Sequence, residues 1–161
     1  MNRRAIQDQF LRDNHCWGCG RLNDDGLQLK SYWLGEEAVA IWEPQSYHAA
    51  GPLDVVNGGI MATIIDCHSA CTAMAAAYQA EGREVGTEPQ IWCATASLQV
   101  TYLRPTPIDQ PVELRAQVKE MGERKMVVTC LALSGGEECA RGEVVAVRVA
   151  PEWTEAEGVG S

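Results

Sequence analysis

Between residues 57 and 80 the chain is apolar at nearly every position, and the pattern carries the 3.6-residue period of a helix. Ile60, Ile64, Cys67, Cys71, Met74 and Tyr78 fall on one narrow stripe, as a buried helix requires. Most other positions are Ala, Thr or Ser, so the predicted helix is slim and apolar almost all round, which suits one wrapped by other structure. Asp66 lies off the stripe. An ionised carboxylate in such surroundings is costly unless it is paired, hydrogen-bonded or shifted in pKa, so its presence needs a reason. Asn57-Gly58-Gly59 opens the helix and Glu81-Gly82-Arg83 ends it.

Ahead of the helix, residues 5–14 predict a short surface helix with Ile6, Phe10 and Leu11 on its packing side. His15-Cys16-Trp17-Gly18-Cys19-Gly20 and Asn23-Asp24-Asp25-Gly26 form a turn-rich lead-in to a strand over 27–34, and Gly35-Glu36-Glu37 turns the chain into a second strand over 38–43. Residues 44–56 hold two Pro, one Gly and no period, the marks of an ordered loop. After the helix come strand-like runs at 91–104, 112–120, 125–133 and 138–149. In the second of these Val112, Leu114, Ala116 and Val118 alternate with Glu113, Arg115, Gln117 and Lys119, as in a sheet with one solvated face. Met121-Gly122-Glu123-Arg124 and Ser134-Gly135-Gly136-Glu137 are hairpin turns, which makes the last three strands antiparallel neighbours. Two strands, one long apolar helix and four strands resolve most economically into a single antiparallel sheet with the helix lying in its curve. Residues 1–15 read as an N-terminal extension, 16–150 as the domain, and 151–161 as a polar, frayed tail.

Composition narrows the function classes. With 161 residues and 46% apolar content the chain is expected to form one domain with a real core. A polar start and the lack of an apolar run of 18 residues lead to the expectation of a cytoplasmic protein with no membrane partner. Seven cysteines, an odd number spread through helix and strands, are expected to be reduced thiols. The net charge of -9 argues against nucleic acid, and leaves an anionic ligand only where a few basic residues are locally focused.

Three motifs in order, Cys16-x-x-Cys19-Gly20 followed by Gly26-Leu27, the Gly58-Gly59 pair with Asp66 eight residues after Gly58, and Val100-Thr101-Tyr102-Leu103-Arg104-Pro105, carry a resemblance. Over residues 16–149 the chain resembles the hotdog-fold acyl-CoA thioesterases often called PaaI-like or THEM4-like. The resemblance implies an α+β hotdog fold, an antiparallel sheet wrapped around one long central helix. It also implies hydrolysis of an acyl-CoA thioester with no metal or organic cofactor, by a homodimer or homotetramer whose pocket lies at a subunit interface.

Thioester hydrolysis needs a polarised carbonyl and an activated water or carboxylate nucleophile. The unpaired amides near Gly58 and Gly59 supply donors at a positive dipole end, and without side chains these residues let a substrate approach closely. The resemblance makes Asp66 the base or nucleophile, and places at Thr95 a hydroxyl beside the attacking water. The family's His-Gly-Gly is Asn57-Gly58-Gly59 here, and Asn57 can exchange hydrogen bonds but cannot titrate. Gly51 stands where many relatives carry a polar side chain, so His48 is the candidate replacement donor. Arg104, at the end of the central strand, and Arg124 and Lys125, at a hairpin, are the candidate cations for coenzyme A phosphates. His68 is about 200° around the helix from Asp66, so the two form no dyad and His68 reads as a hydrogen-bonded structural residue.

A zinc reading of Cys16-x-x-Cys19 needs two more ligands, and no second Cys-x-x-Cys exists. Cys67, His68 and Cys71 are conceivable, but Cys67 and Cys71 belong to the core stripe. The turn is therefore expected to be metal-free and buried, with Trp17 packed on the sheet. A redox reading is weaker, since no strand precedes the motif and no helix clearly starts at it. The alternative function is a non-catalytic acyl-CoA-binding or regulatory protein of the same fold, which the missing motif His favours and Asp66 opposes. A hydratase finds no separate Asp/His motif.

Overall fold

Six strands pair into one antiparallel sheet and the long helix packs across it in the computed structural model, which describes residues 4–10, 13–150 and 152. In chain order the elements are β1 (Ser31–Trp33), β2 (Ala38–Trp42), α1 (Gly58–Ala80), β3 (Cys93–Tyr102), β4 (Val112–Met121), β5 (Lys125–Ser134) and β6 (Glu137–Arg148). Across the sheet they run β1-β2-β4-β5-β6-β3. This is the hotdog arrangement that the resemblance implied. Gly135 and Gly136 both take positive φ, 58° and 79°, so β5 and β6 meet in the tight turn their twist favours.

α1 buries residues on all its sides: Ile64 and Ile65, Ala73 and Tyr78 are each fully enclosed. Its length and composition would suit a membrane-crossing helix, yet 72% of its most apolar stretch is buried against the rest of this chain. On β4 the expected alternation holds as far as the buried Val112, Leu114 and Ala116; Val118 is only half-buried, where a bulge between Val118 and Glu120 shifts the register.

Three expectations are corrected. β3, read as central, is an edge strand, because β2 pairs with β4 and β3 joins the sheet on the far side of β6. The strand expected over 27–34 shrinks to β1: Gln28 takes φ 54°, and the amides of Leu27 and Leu29 bond the carbonyls of Trp17 and Gly18 instead of a strand. The N-terminal segment is no surface helix but a single 3-10 turn, Ile6–Asp8, which inserts Ile6 and Phe10 into the core. Leu11 and the tail residues 151–161, apart from 152, lie outside the described residues.

His68 is structural, as expected. Its Nε2–H donates to the carbonyl of Ala38 at 3.0 Å, and its Nδ1 therefore accepts from the Ser31 hydroxyl at 2.8 Å. Gln7 completes the network, donating from Nε2 to Ser31 Oγ and accepting the Ser31 amide, each at 2.9 Å. Every polar atom of this buried group is satisfied, and burial pulls the imidazole down to about 4, so it is neutral.

Candidate active site

The mouth of α1 is organised by Asn57. Its Oδ1 accepts the amide of Ile60 and its carbonyl accepts the amide of Met61, each at 3.1 Å, which makes it the N-cap. The residue that replaces the family His thus has a capping job that Asn does well. The Gly58 and Gly59 amides, first of the helix, have no intrahelical acceptor and point out at its positive end. A Cβ on Gly58 would meet nothing nearer than the Tyr102 ring at 3.6 Å, an ordinary contact. Packing within the chain therefore does not demand glycine there, and the bare backbone is open to a ligand or a second chain. Tyr102, at the end of β3, donates its hydroxyl to the Gly58 carbonyl at 2.5 Å and ties the helix mouth to the sheet edge. Sequence reasoning passed over this side chain, although it stands inside the Val100–Pro105 motif.

Two turns along, Asp66 is half-buried on the flank of α1 that faces β3, and the Thr95 hydroxyl donates to its Oδ1 at 2.7 Å. A bulge between Thr95 and Ser97 sits at this point of the strand. Asp66 Oδ2 has no protein donor among the described residues. Burial raises the Asp66 carboxyl above the usual carboxylate range, the Thr95 hydrogen bond opposes that, and charge on Cys19 adds to the rise. The pair opens on a cavity of about 510 Å³ that Phe10, Met74, Cys16 and Cys19 also line.

The other candidates are more scattered. His48 is buried in a 3-10 turn (Ser46–His48) against Trp42 and Tyr47; its Nδ1 accepts the Gln45 amide at 2.9 Å, and its carbonyl accepts the Asn57 amide at the helix mouth. Burial lowers its pKa, which keeps it neutral with its proton on Nε2. Gly51 is exposed. Arg104 follows β3 at the helix-mouth end and pairs with Glu137 at 2.8 Å. Arg124 and Lys125 adjoin the opposite end, since Lys125 faces Val147 and Cys93 faces Arg148. Some nine residues of β3 separate the two groups, about 30 Å, so one chain does not gather them into a single patch. Trp17 does not pack on the sheet but is 46% exposed. Cys67 is a core side chain, as expected, and it also touches the Cys16–Gly20 knuckle, with its Sγ 3.7 Å from that of Cys16.

A carbonyl under attack must touch donor amide and base at once. Eight residues of helix separate Gly58 from Asp66, about 12 Å along the axis. Gly58 and Asp66 therefore do not meet on one chain.

The Thioesterase superfamily profile matches residues 53–140, which include the helix mouth, Asp66 and Thr95. A thioesterase superfamily protein from Shewanella loihica PV-4 is 39% identical, with 76% of this chain and 91% of that one covered at a TM-score of 0.61. The E. coli PaaI protein from the phenylacetic acid degradation operon shares the fold at 15% identity, 77% and 81% coverage and a TM-score of 0.63. Zebra fish Thioesterase Superfamily Member 2 does so at 17% identity, 82% and 90% coverage and a TM-score of 0.63. Among curated proteins nothing matches.

Proposed function

The chain belongs to the thioesterase superfamily, and from that premise we propose that it hydrolyses an acyl-CoA thioester to the free acid and coenzyme A. The observation that carries the reading is the Thr95–Asp66 hydrogen bond, which orients one carboxylate oxygen and leaves the other free at the cavity. Asp66 takes a proton from a water whose oxygen attacks the carbonyl carbon, or attacks that carbon itself to give a mixed anhydride that water then hydrolyses; the amides of Gly58 and Gly59 hold the oxyanion; the C–S bond breaks and the thiolate leaves, taking up the proton that the water gave. Arg104, Arg124 and Lys125 are the cations offered to the coenzyme A phosphates. The test is release of free thiol across a panel of aliphatic and aromatic acyl-CoAs and their 3′-dephospho forms. Turnover of at least one, with a raised KM for its dephospho form, is expected. Tight binding of acyl-CoA without thiol release would replace the enzyme with a binding protein.

The 12 Å gap between Gly58 and Asp66 is closed by a second copy of the chain, with the helix mouth of one protomer facing Asp66 of its partner. β3 supports this. It is an edge strand of ten residues without a single charge or Pro, and Leu98 and Tyr102 are exposed on it. Sheet edges left so unguarded are open to pairing. The protein is therefore expected to be at least a dimer at micromolar concentration by light scattering or sedimentation. An active monomer would exclude the shared site.

A further inference from the structure

The Cys16-x-x-Cys19 turn has no role in the proposed hydrolysis, yet it is closely built. The Asn14 carboxamide oxygen accepts the Cys16 amide at 3.0 Å, the Cys16 carbonyl accepts the Gly20 amide at 2.7 Å, and the Trp17 and Gly18 carbonyls accept the amides of Leu27 and Leu29. The turn presses on the flank of α1 at Gly18, where a Cβ would lie 2.3 Å from Cys67 Sγ and 3.0 Å from Thr63 Cγ2. Only glycine lets it close this far. Closure brings the sulfurs of Cys16, Cys19 and Cys67 within 4.8 Å of one another. Cys71, one turn beyond Cys67 on the same helix, lines the cavity that Cys16, Cys19 and Cys67 also line.

Two features separate this cluster from core packing. First, the 3.7 Å between Cys16 Sγ and Cys67 Sγ is the spacing of two sulfurs on a tetrahedral zinc ion, about 3.8 Å for Zn–S bonds of about 2.3 Å. Second, apart from a long 3.9 Å contact from Asn14 Nδ2 to Cys19, the three clustered thiols have only one another as polar side-chain partners among the described residues. Soft thiolates at this spacing select zinc over hard cations. Cys16 is exposed, so the ion has a way in.

We propose that Cys16, Cys19, Cys67 and Cys71 form a tetrathiolate zinc site that fastens the N-terminal knuckle to the central helix. The expectation of a metal-free turn depended on Cys67 and Cys71 being spent in the core. Both do lie in the core, yet Cys67 Sγ also reaches Cys16 and Cys71 lines the same cavity. With four protein ligands the site is closed and structural, and it does not depend on the hydrolytic reading. The remaining cysteines, Cys93, Cys130 and Cys139, sit on strands and supply no ligand.

Full-length protein purified under reductant is expected to carry about one zinc per chain by elemental analysis. After removal of metal by a chelator it should take up one equivalent of Co²⁺, with a strong thiolate-to-cobalt charge-transfer band in the near ultraviolet and tetrahedral d–d bands in the visible. Cys16→Ala, Cys67→Ala and Cys71→Ala should each lose or weaken the band, while Cys139→Ala keeps it. Reduced wild-type protein that shows no charge transfer with Co²⁺ overturns the site, whatever the variants do. So does a band that survives Cys67→Ala, or a Cys16–Cys67 disulfide in a protein that takes up no metal once reduced.

Discussion

Asp66→Asn lowers kcat by at least about 10²-fold, the scale of losing a general base, and lowers kcat/KM with it, while the protein keeps its fold and its assembly. Asparagine keeps the shape and can still accept from Thr95, so what is removed is the charge. A stability effect would work the other way. The folded-state pKa of Asp66 is raised above its ordinary value, so the contribution of this carboxyl to the fold is fully present below the unfolded pKa and lost as pH rises through the folded one. At neutral pH the ionised group is therefore a cost, and Asp66→Asn is not expected to destabilise. The pH profile gives a second check. Because the base must be ionised, kcat/KM of the wild type falls on acidification through an apparent pKa above the usual carboxylate range. Thr95→Val deletes the hydrogen bond that lowers this pKa and moves the limb to higher pH, whereas Thr95→Ser leaves it in place. A folded Asp66→Asn protein hydrolysing its best acyl-CoA at close to the wild-type rate would move the chemistry to another group.

Acidification between pH 6.5 and about 4 should cost the fold about 3 kcal/mol through His68 alone. The imidazole is fully buried, and burial lowers its pKa from the ordinary 6.5 to about 4. Its folded pKa is depressed, so its stabilising contribution is complete above the unfolded pKa and lost as pH falls through the folded one. Over that window the unfolded chain binds a proton that the native state refuses. Urea unfolding of the wild type and of His68→Gln isolates the effect from the carboxylates, which both proteins share. At pH 7 the variant is less stable, since glutamine cannot reach Ser31 and Ala38 with the same geometry and leaves a buried polar group short of a partner. The gap between the two should then narrow by up to about 3 kcal/mol on going to pH 4. Parallel stability curves for the two proteins would show that His68 does not titrate in this window.

Local periodicity made the central helix legible, because burial on every side leaves an unmistakable apolar run, and the glycine-containing turns at 121–124 and 134–137 marked the hairpins. The bond between Asp66 and Thr95 was legible only in part. The residue types were candidates, but 29 positions separate them, and no local pattern encodes that distance. The strand over 27–34 failed for a local reason that the pattern hides. Gln28 is not a residue expected at positive φ, and the neighbouring amides found carbonyls in the knuckle that an isolated strand would not meet.

What the sequence by itself determined is the order of one long helix and six strands, since these follow from the spacing of apolar side chains and from turn chemistry within a few residues. Tertiary structure alone decided which elements lie side by side: β3 at the edge beyond β6, the Asp66 flank of α1 against Thr95, and the Cys16 turn against Cys67, 51 residues away. The physical reason is that a helix apolar all round carries no sign of which face meets which neighbour. For Cys67, a place in the core alone and a place in the core that also touches Cys16 have the same sequence signature. Only the closure of Gly18 onto the helix distinguishes them, and that contact exists only once the chain has folded.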